Sequence, residues 1–301
     1  MKKLAELDIE NAAIEWFEDL GYSFIHGPEI DRPLKEVVLQ ARLKSFLSNT
    51  YPQLPEKSLN EVLIILLGNK ELELDYRNRE FHLKLTKGID YSWKDKQGRE
   101  HFEHIYPINY QDPEQNDFLC VNQFPIQGKN NRRPDLIIFV NGLPLAVFEF
   151  KNPFDPNTTV DNAWNQIQHY RADIPLLFEY NALTVISDGT TTLNGMYSSG
   201  KEWFAPWKST DGLNVSDESH ALRSLLYGLF PKDRFCSYIK QFIFHENHSG
   251  TLVKKGAKYH QFFGVSAAVE QTKKAVKPKG DGRIGVIWHT QGAGKSISMA
   301  I

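Results

Sequence analysis

Residues 134–151 read Pro-Asp-Leu-Ile-Ile-Phe-Val-Asn-Gly-Leu-Pro-Leu-Ala-Val-Phe-Glu-Phe-Lys. Two apolar runs, 136–140 and 145–150, flank the pair Asn141-Gly142, which favours the left-handed backbone of a tight turn, so the stretch reads as a β-hairpin buried on at least one face. Side chains alternate along a strand. Glu149 and Lys151 therefore leave one face of the sheet, and Phe148 and Phe150 the other. The first strand opens at Pro134-Asp135. A regular two-residue hairpin would set Asp135 against Phe148 and send its carboxylate away from Glu149. For the two acids to meet, a bulge or an odd-length loop is required, with Gly142 in the left-handed region.

Upstream, Ile9, Ala13, Phe17 and Leu20 recur at helical spacing and Gly21 follows as a stop, which predicts an opening amphipathic helix. Two more helices are expected over 34–47 and 58–67. From 89 to 127 short runs rich in Tyr, Phe, Ile and Val, broken by turns such as Lys96-Gln97-Gly98, predict strands. Downstream, the pattern predicts a helix over 160–172, a short strand over 183–187 closed by Asp188-Gly189, and helices over 219–229 and 235–244. A helix over 259–276 leads through Lys277-Pro278-Lys279-Gly280-Asp281-Gly282 to a strand over 284–288 and a Gly-rich loop. The 301 residues exceed one ordinary core. One domain over 1–245 and the start of a second over 246–301 are expected.

Hydrophobic and charged fractions of 41% and 24% are those of a globular chain, and no apolar run approaches the ~20 residues that cross a bilayer. The first residues lack the apolar core of a signal peptide, so a cytoplasmic location is expected. Cys120 and Cys236 stand far apart without a CxxC spacing, which argues against a disulfide framework or zinc site. With a net charge of -2, contact with nucleic acid must come from local patches. One is visible: Lys254, Lys255, Lys258, Lys273, Lys274, Lys277, Lys279 and Arg283, against Glu270 and Asp281 only.

Two carboxylates and a lysine beside an apolar core suit phosphodiester cleavage. Carboxylates hold Mg²⁺ through oxygen ligands and leave positions for water and the scissile phosphate, while lysine adds positive charge. A strand ending in Glu-x-Lys is also a common exposed ion pair. On the following helix Gln166 and Tyr170, four apart, share one face and can present an amide and a phenol to the same place. Near the end, His289-Thr290-Gln291-Gly292-Ala293-Gly294-Lys295-Ser296 follows the expected strand and opens a helix, the context of a phosphate-binding loop. Gly292 and Gly294 let the backbone approach, Lys295 reaches the β- and γ-phosphates of ATP, and Ser296 holds Mg²⁺. His289 replaces the first glycine of the strict pattern.

The order Pro134-Asp135, Glu149-x-Lys151, Gln166-xxx-Tyr170 resembles the PD-(D/E)xK nuclease core of the RecB-like branch. Followed by a motor motif, it is similar to the restriction (R, HsdR) subunit of type I restriction-modification enzymes, in a resemblance that takes in Gly21-Tyr22, Ser187-Asp188-Gly189 and Trp207-Lys208. It implies an α/β, restriction-endonuclease-like mixed sheet flanked by helices, followed by the first elements of a RecA-like P-loop domain. It further implies Asp135 and Glu149 as metal ligands and Lys151 as the group that positions or activates water. Glu10, Glu15 and Glu18 compete for the family's upstream acidic position, and Gln261 stands where such motors place an adenine-reading glutamine. The implied partners are double-stranded DNA and separate methylation (M) and specificity (S) subunits, with no membrane. Only five residues follow Ser296, so helicase lobes are expected beyond residue 301 and a complete ATPase is not expected within the chain. Two other functions are weighed: a module that holds DNA or docks subunits without cutting, and a RecB-like repair nuclease-helicase. The complete acidic pair argues against the first. The order of nuclease before motor argues against the second.

Overall fold

A computed structural model describes residues 2–152, 159–217, 220–248, 250–286 and 294–300. Its centre is a six-stranded mixed sheet in the order β1 (Ser23–His26), β4 (Phe118–Asn122), β5 (Leu136–Val140), β6 (Leu143–Phe150), β7 (Leu183–Ser187) and β8 (Thr192–Gly195). β1 runs parallel to β4 and β6 to β7, and the other neighbours are antiparallel. Every residue of β4, β5, β6 and β7 is buried. Their uninterrupted apolar runs thus reflect helices on both faces of the sheet. On one face α1 (Lys2–Asp19) places Phe17 edge-on to Phe148 at 5.7 Å and to Phe230 at 5.2 Å. Phe230 follows α7 (Ala221–Leu229). On the other face lies α5 (Val160–Asp173), which buries Ala163, Ile167 and Tyr170. The expected mixed sheet flanked by helices is present.

The hairpin carries the required bulge. Val140 pairs with Leu143 and Phe139 with Pro144, but Ile138 pairs with Ala146, so Leu145 is an extra residue in β6. Pro144 has no N–H to give the ladder, which suits the place where it breaks. The loop itself has two residues, and both Asn141 (φ 53) and Gly142 (φ 79) are left-handed. Beyond the bulge Leu136 pairs with Phe148, and one more step of that register sets Asp135 opposite Glu149.

Tertiary contacts hold the turn. Asn141 Nδ2 donates to Pro107 O (2.9 Å) and Asn116 Oδ1 (2.8 Å), and Asn141 Oδ1 accepts from Asp117 N (2.8 Å). Leu39 N donates to Gly142 O at 2.9 Å. That contact corrects one expectation: α2 (Gln40–Thr50) starts six residues later than the apolar pattern suggests. Val37, Val38 and Leu39 are spent instead on the core and on this turn. α3 (Glu56–Leu67) matches its expectation closely.

Several elements lie outside the sequence reading. α4 (Leu74–Lys87) buries Asn78 and His82 beside Phe81 and Leu85, so polar residues interrupt its apolar stripe. α6 (Pro175–Tyr180) and β8 are too short to show a period. α8 (Lys232–Gln241) ends before Phe242, and the chain enters a hairpin of β9 (Ile243–His248) and β10 (Thr251–Gly256) where helix was expected to 244. The boundary expected at 245/246 falls inside β9. β2 (Ile89–Lys94) and β3 (Glu100–Ile105) form the expected hairpin around Gly98. α9 (Tyr259–Ala275) appears as expected. The strand expected over 284–288 does not: residues 284–286 are irregular, with Val286 92% exposed, and 287–288 lie outside the described residues. Among the described residues no strand lies beside this stretch, and a strand exists only through its partners.

Gly142 and Gly98 both have φ +79, but a Cβ at Gly142 would stand 2.4 Å from Leu39 O, whereas one at Gly98 would meet nothing within 4 Å. Gly98→Ala should cost about 1 kcal/mol from backbone strain, and Gly142→Ala clearly more, because the hairpin must also part from Leu39. Urea unfolding of both variants checks this, and equal losses would show that the Leu39 contact is weak.

Candidate nuclease site

The hairpin's open end and α5 enclose the predicted acidic pair. Phe150 N donates to Asp135 Oδ2 at 2.7 Å, which ties the carboxylate to the strand that carries Glu149. Glu149 is 3% exposed. Its Oε1 accepts a hydrogen bond from Lys151 Nζ, and among the described residues its buried Oε2 has no hydrogen-bond partner. Burial, and then the charge of Asp135, push the Glu149 carboxyl up to about 8, although Lys151 and the Tyr170 hydroxyl pull the other way. Tyr170 is raised well above the usual tyrosine range, first by burial and then by Glu149 and Asp135, so it stays a protonated donor. Gln166, a turn earlier on α5, faces the Tyr170 phenol and opposes that rise. All five residues expected at the nuclease site therefore gather at one place.

Of the three upstream acids, Glu10 is the one that lies against the site. Glu15 and Glu18 are exposed, whereas Glu10 is 4% exposed. Glu10 Oε1 accepts from Asn122 Nδ2 (2.7 Å) and Oε2 from Gln123 Nε2 (2.6 Å), and the same Nε2 lies 3.4 Å from Asp135 Oδ1. Gln123 holds this bridge with φ 49, an uncommon conformation for a residue other than glycine. Its N–H donates to Asp135 O at 3.0 Å. Asn122 and Gln123 went unnoticed in the sequence because nothing in the pattern distinguishes an amide pair after a strand.

Around the site, Lys151 N donates to Ser187 O (2.8 Å), and Asp188 Oδ2 accepts from Val160 N (3.2 Å) at the start of α5. The Ser187-Asp188-Gly189 signature thus steadies the elements that carry Lys151 and Tyr170, with an acid at a helix N-terminus as its dipole favours. Trp207 is buried and packs 5.6–6.0 Å from Phe262, Phe263 and Tyr238.

At the phosphate-loop sequence, Gly292 lies outside the described residues. Gly294 has φ 75, and Gln261 Nε2 donates to its carbonyl at 3.3 Å. Gln261 is 6% exposed and its Oε1 also accepts from Lys258 N at 2.8 Å, closing the first turn of α9. Lys295 and Ser296 begin α10 (Lys295–Ala300) and are exposed. In the basic run, Lys254 is buried and donates to Asn181 O at 2.6 Å, so it is no part of a surface patch. Lys273, Lys274, Lys277, Lys279 and Arg283 are exposed.

Two neighbouring carboxylates, one of them buried, and a lysine at the open end of a hairpin in a mixed sheet form the class of site expected of a nuclease. The family model for the type I restriction enzyme R protein N terminus matches residues 3–203, and the chain belongs to that family. A model for the SWI2/SNF2 ATPase matches residues 260–301. The chain is 36% identical over 310 residues to the type I restriction enzyme HindI endonuclease subunit of Haemophilus influenzae, covering 98% of this chain and 29% of that protein. It is 32% identical over 321 residues to the putative type I restriction enzyme MjaIXP endonuclease subunit of Methanocaldococcus jannaschii, covering 97% and 30% respectively. The chain thus spans less than a third of the length of these relatives. Among the described residues no helix is long and apolar enough to cross a membrane.

The raised Glu149 carboxyl predicts a pH signature in metal-free protein. A carboxyl whose folded pKa lies above its unfolded value contributes stability that is complete below about 4.5 and is lost as pH rises through about 8. Glu149→Gln should therefore be the more stable protein at pH 9 without divalent ions, with an advantage over the unsubstituted chain that shrinks toward pH 5. Thermal melts across that range in chelator check it, and an advantage independent of pH would contradict the assignment.

Proposed function

We propose that this chain carries the DNA-cutting site of the R subunit of a type I restriction enzyme, a Mg²⁺-dependent endonuclease. In this reading Asp135 and Glu149 hold the metal on a PD-(D/E)xK-type fold. From about residue 246 the chain passes into the first elements of a RecA-like motor, in which Gly292, Gly294, Lys295, Ser296 and Gln261 serve ATP. In the whole protein, cutting is coupled to ATP-dependent translocation on double-stranded DNA, in the cytoplasm and in complex with methylation and specificity subunits. The observation that carries the nuclease reading is Glu149 Oε2, a buried carboxylate oxygen that has no hydrogen-bond partner among the described residues and lies beside a second carboxylate. Leaving such an atom unpaired is costly unless something binds there.

The donor set fits a hard divalent cation. Among the described residues no group of three or more His, Cys, Asp or Glu gathers as a ligand cage. Two carboxylates with water and phosphate oxygens are the usual complement of Mg²⁺. When bound, the ion supplies Lewis acidity and lowers the pKa of its water. Lys151 neutralises part of the Glu149 charge and can turn its ammonium to an attacking water or to phosphate. Tyr170, kept protonated, donates a hydrogen bond, and Gln166 fixes the direction of that phenol. Glu10 acts through Gln123 to set the position of Asp135.

In the full-length protein, Asp135→Ala and Glu149→Ala should abolish cleavage and leave ATP hydrolysis intact, because the two chemistries use separate groups. Lys151→Ala should also stop cutting while metal affinity largely persists, since an ammonium has no lone pair to offer a metal. Lys295→Ala should stop ATP hydrolysis, together with any cleavage that depends on translocation. Cleavage of circular DNA and phosphate release, measured side by side for each variant, test the scheme. Full cutting by Asp135→Ala would leave a DNA-holding module instead.

A further inference from the structure

A site built on carboxylates repels the polyanion it must cut, and a net charge of -2 gives the chain no overall attraction to DNA. The cations that hold the substrate must therefore be local. The segment 127–133, Gln-Gly-Lys-Asn-Asn-Arg-Arg, immediately precedes Pro134-Asp135, and its construction is specific. Ile126 and Arg132 exchange backbone hydrogen bonds at 2.8 and 2.9 Å, and Gln127 N donates to Leu34 O at 2.8 Å. Asp173, the last residue of α5, takes the rest. Its carbonyl accepts from Lys129 N (2.8 Å), its Oδ1 from Asn130 Nδ2 (2.8 Å), and its Oδ2 from Arg132 Nε (2.7 Å) and Nη2 (2.5 Å).

Gly128 lies so close that a Cβ there would stand 2.0 Å from Asp173 O. An acid at a helix C-terminus is opposed by the dipole, so Asp173 gains its place from the loop and not from the helix. Three residues before it on the same helix stands Tyr170, and two residues after the loop stands Asp135. Lys129 and Arg133 are exposed, and no hydrogen bond or ion pair engages their side chains among the described residues. The loop thus carries two cations close in sequence to Asp135 on a backbone that is already held in place.

We propose that the 127–133 loop is a preformed contact for the phosphate backbone of the duplex being cut, with Lys129 and Arg133 as the contacting cations and Gly128 and Asp173 seating them. The proposal rests on the nuclease reading for its placement, but it is tested without cleavage. Binding of a 30-base-pair duplex by the 301-residue chain is measured in chelator across a salt series. Removing a phosphate contact lowers the slope of log K against log salt by about 0.9. Lys129→Gln with Arg133→Gln should lower it by about 2, equally for duplexes of unrelated sequence.

Gly128→Ala changes no charge, so a fall in slope there reports displacement of the loop. Its effect should vanish in the background of the double variant, since it acts through the same two cations. Binding that persists with an unchanged slope in the double variant would overturn the proposal, as would failure of the unsubstituted chain to bind the duplex. Additive loss from Gly128→Ala would overturn the seating role. Normal slope changes in a protein that never cuts DNA with Mg²⁺ would remove the nuclease reading and leave the loop as a DNA contact.

Discussion

An antiparallel ladder preserves parity, so residues facing each other across a hairpin share a face for its whole length unless one strand gains a residue. Without Leu145 as that extra residue, the turn at Asn141-Gly142 would set Asp135 against Phe148. Its carboxylate would then lie toward Phe17 and Phe230 in the apolar layer under α1. With it, both acids stand on the α5 side, where Tyr170 and Lys151 can answer them. The bulge is fixed from two directions. Pro144 cannot complete a regular ladder, and the turn beyond it is pinned by Asn141 to 107, 116 and 117 and by Gly142 to Leu39.

Bringing Asp135 and Glu149 together under α5 is unfavourable by itself. Two neighbouring carboxylates repel, and Lys151, Tyr170, Gln123 and the Phe150 N–H are among the groups that oppose that repulsion. A hydrophobic pair would stabilise the sheet better at the same positions. The raised Glu149 carboxyl and its unsatisfied oxygen are the residue of this conflict, and such conflicts concentrate where a charged ligand is due. Gln123 adds a smaller one, a left-handed backbone in a residue with a side chain, held by bonds to Glu10 and Asp135.

Much of this was legible before any coordinates. The hairpin, α1, α3, α5, β7 and α9 follow from periodicity and turn chemistry, and the parity conflict at Asp135 made the bulge an inference from residue types alone. What could not be read is instructive. α4 hides because Asn78 and His82 occupy core positions: Asn78 Nδ2 donates to the carbonyls of 178, 179 and 181 at the end of α6, and His82 packs on His245. β9 and β10 carry Lys254 inward, which inverts the expectation that a lysine marks the solvent side. Glu10 could not be told from Glu15 and Glu18 because all three lie on one amphipathic helix, and only the position of Gln123 separates them. The seating of 127–133 on Asp173 depends on the approach of two segments about forty residues apart, which no local pattern encodes.

The same long-range packing bears on where one folding unit stops. The matches to known families cover 3–203 and 260–301, yet the residues between them are not a tether. Phe230 packs on Phe17 and Phe148 beneath the acidic strand, and Tyr22 donates to its carbonyl at 2.8 Å. Tyr238 donates to Ala257 O at 2.9 Å, and Trp207 joins Tyr238 to Phe262 and Phe263 of α9. Lys254 reaches Asn181 O from β10, and burial lowers its ammonium to about 7, against the pull of Asp75. A lysine is tolerated there only while that polar environment stays intact. The hairpin that carries it is thus held to the corner between α6 and β7, and the first turns of α9 belong mechanically to the body that bears Glu149. Gln261, which touches Gly294, sits in those first turns. The exposed Lys273 and Lys274, in the last turn of α9, lie past the last of these aromatic contacts.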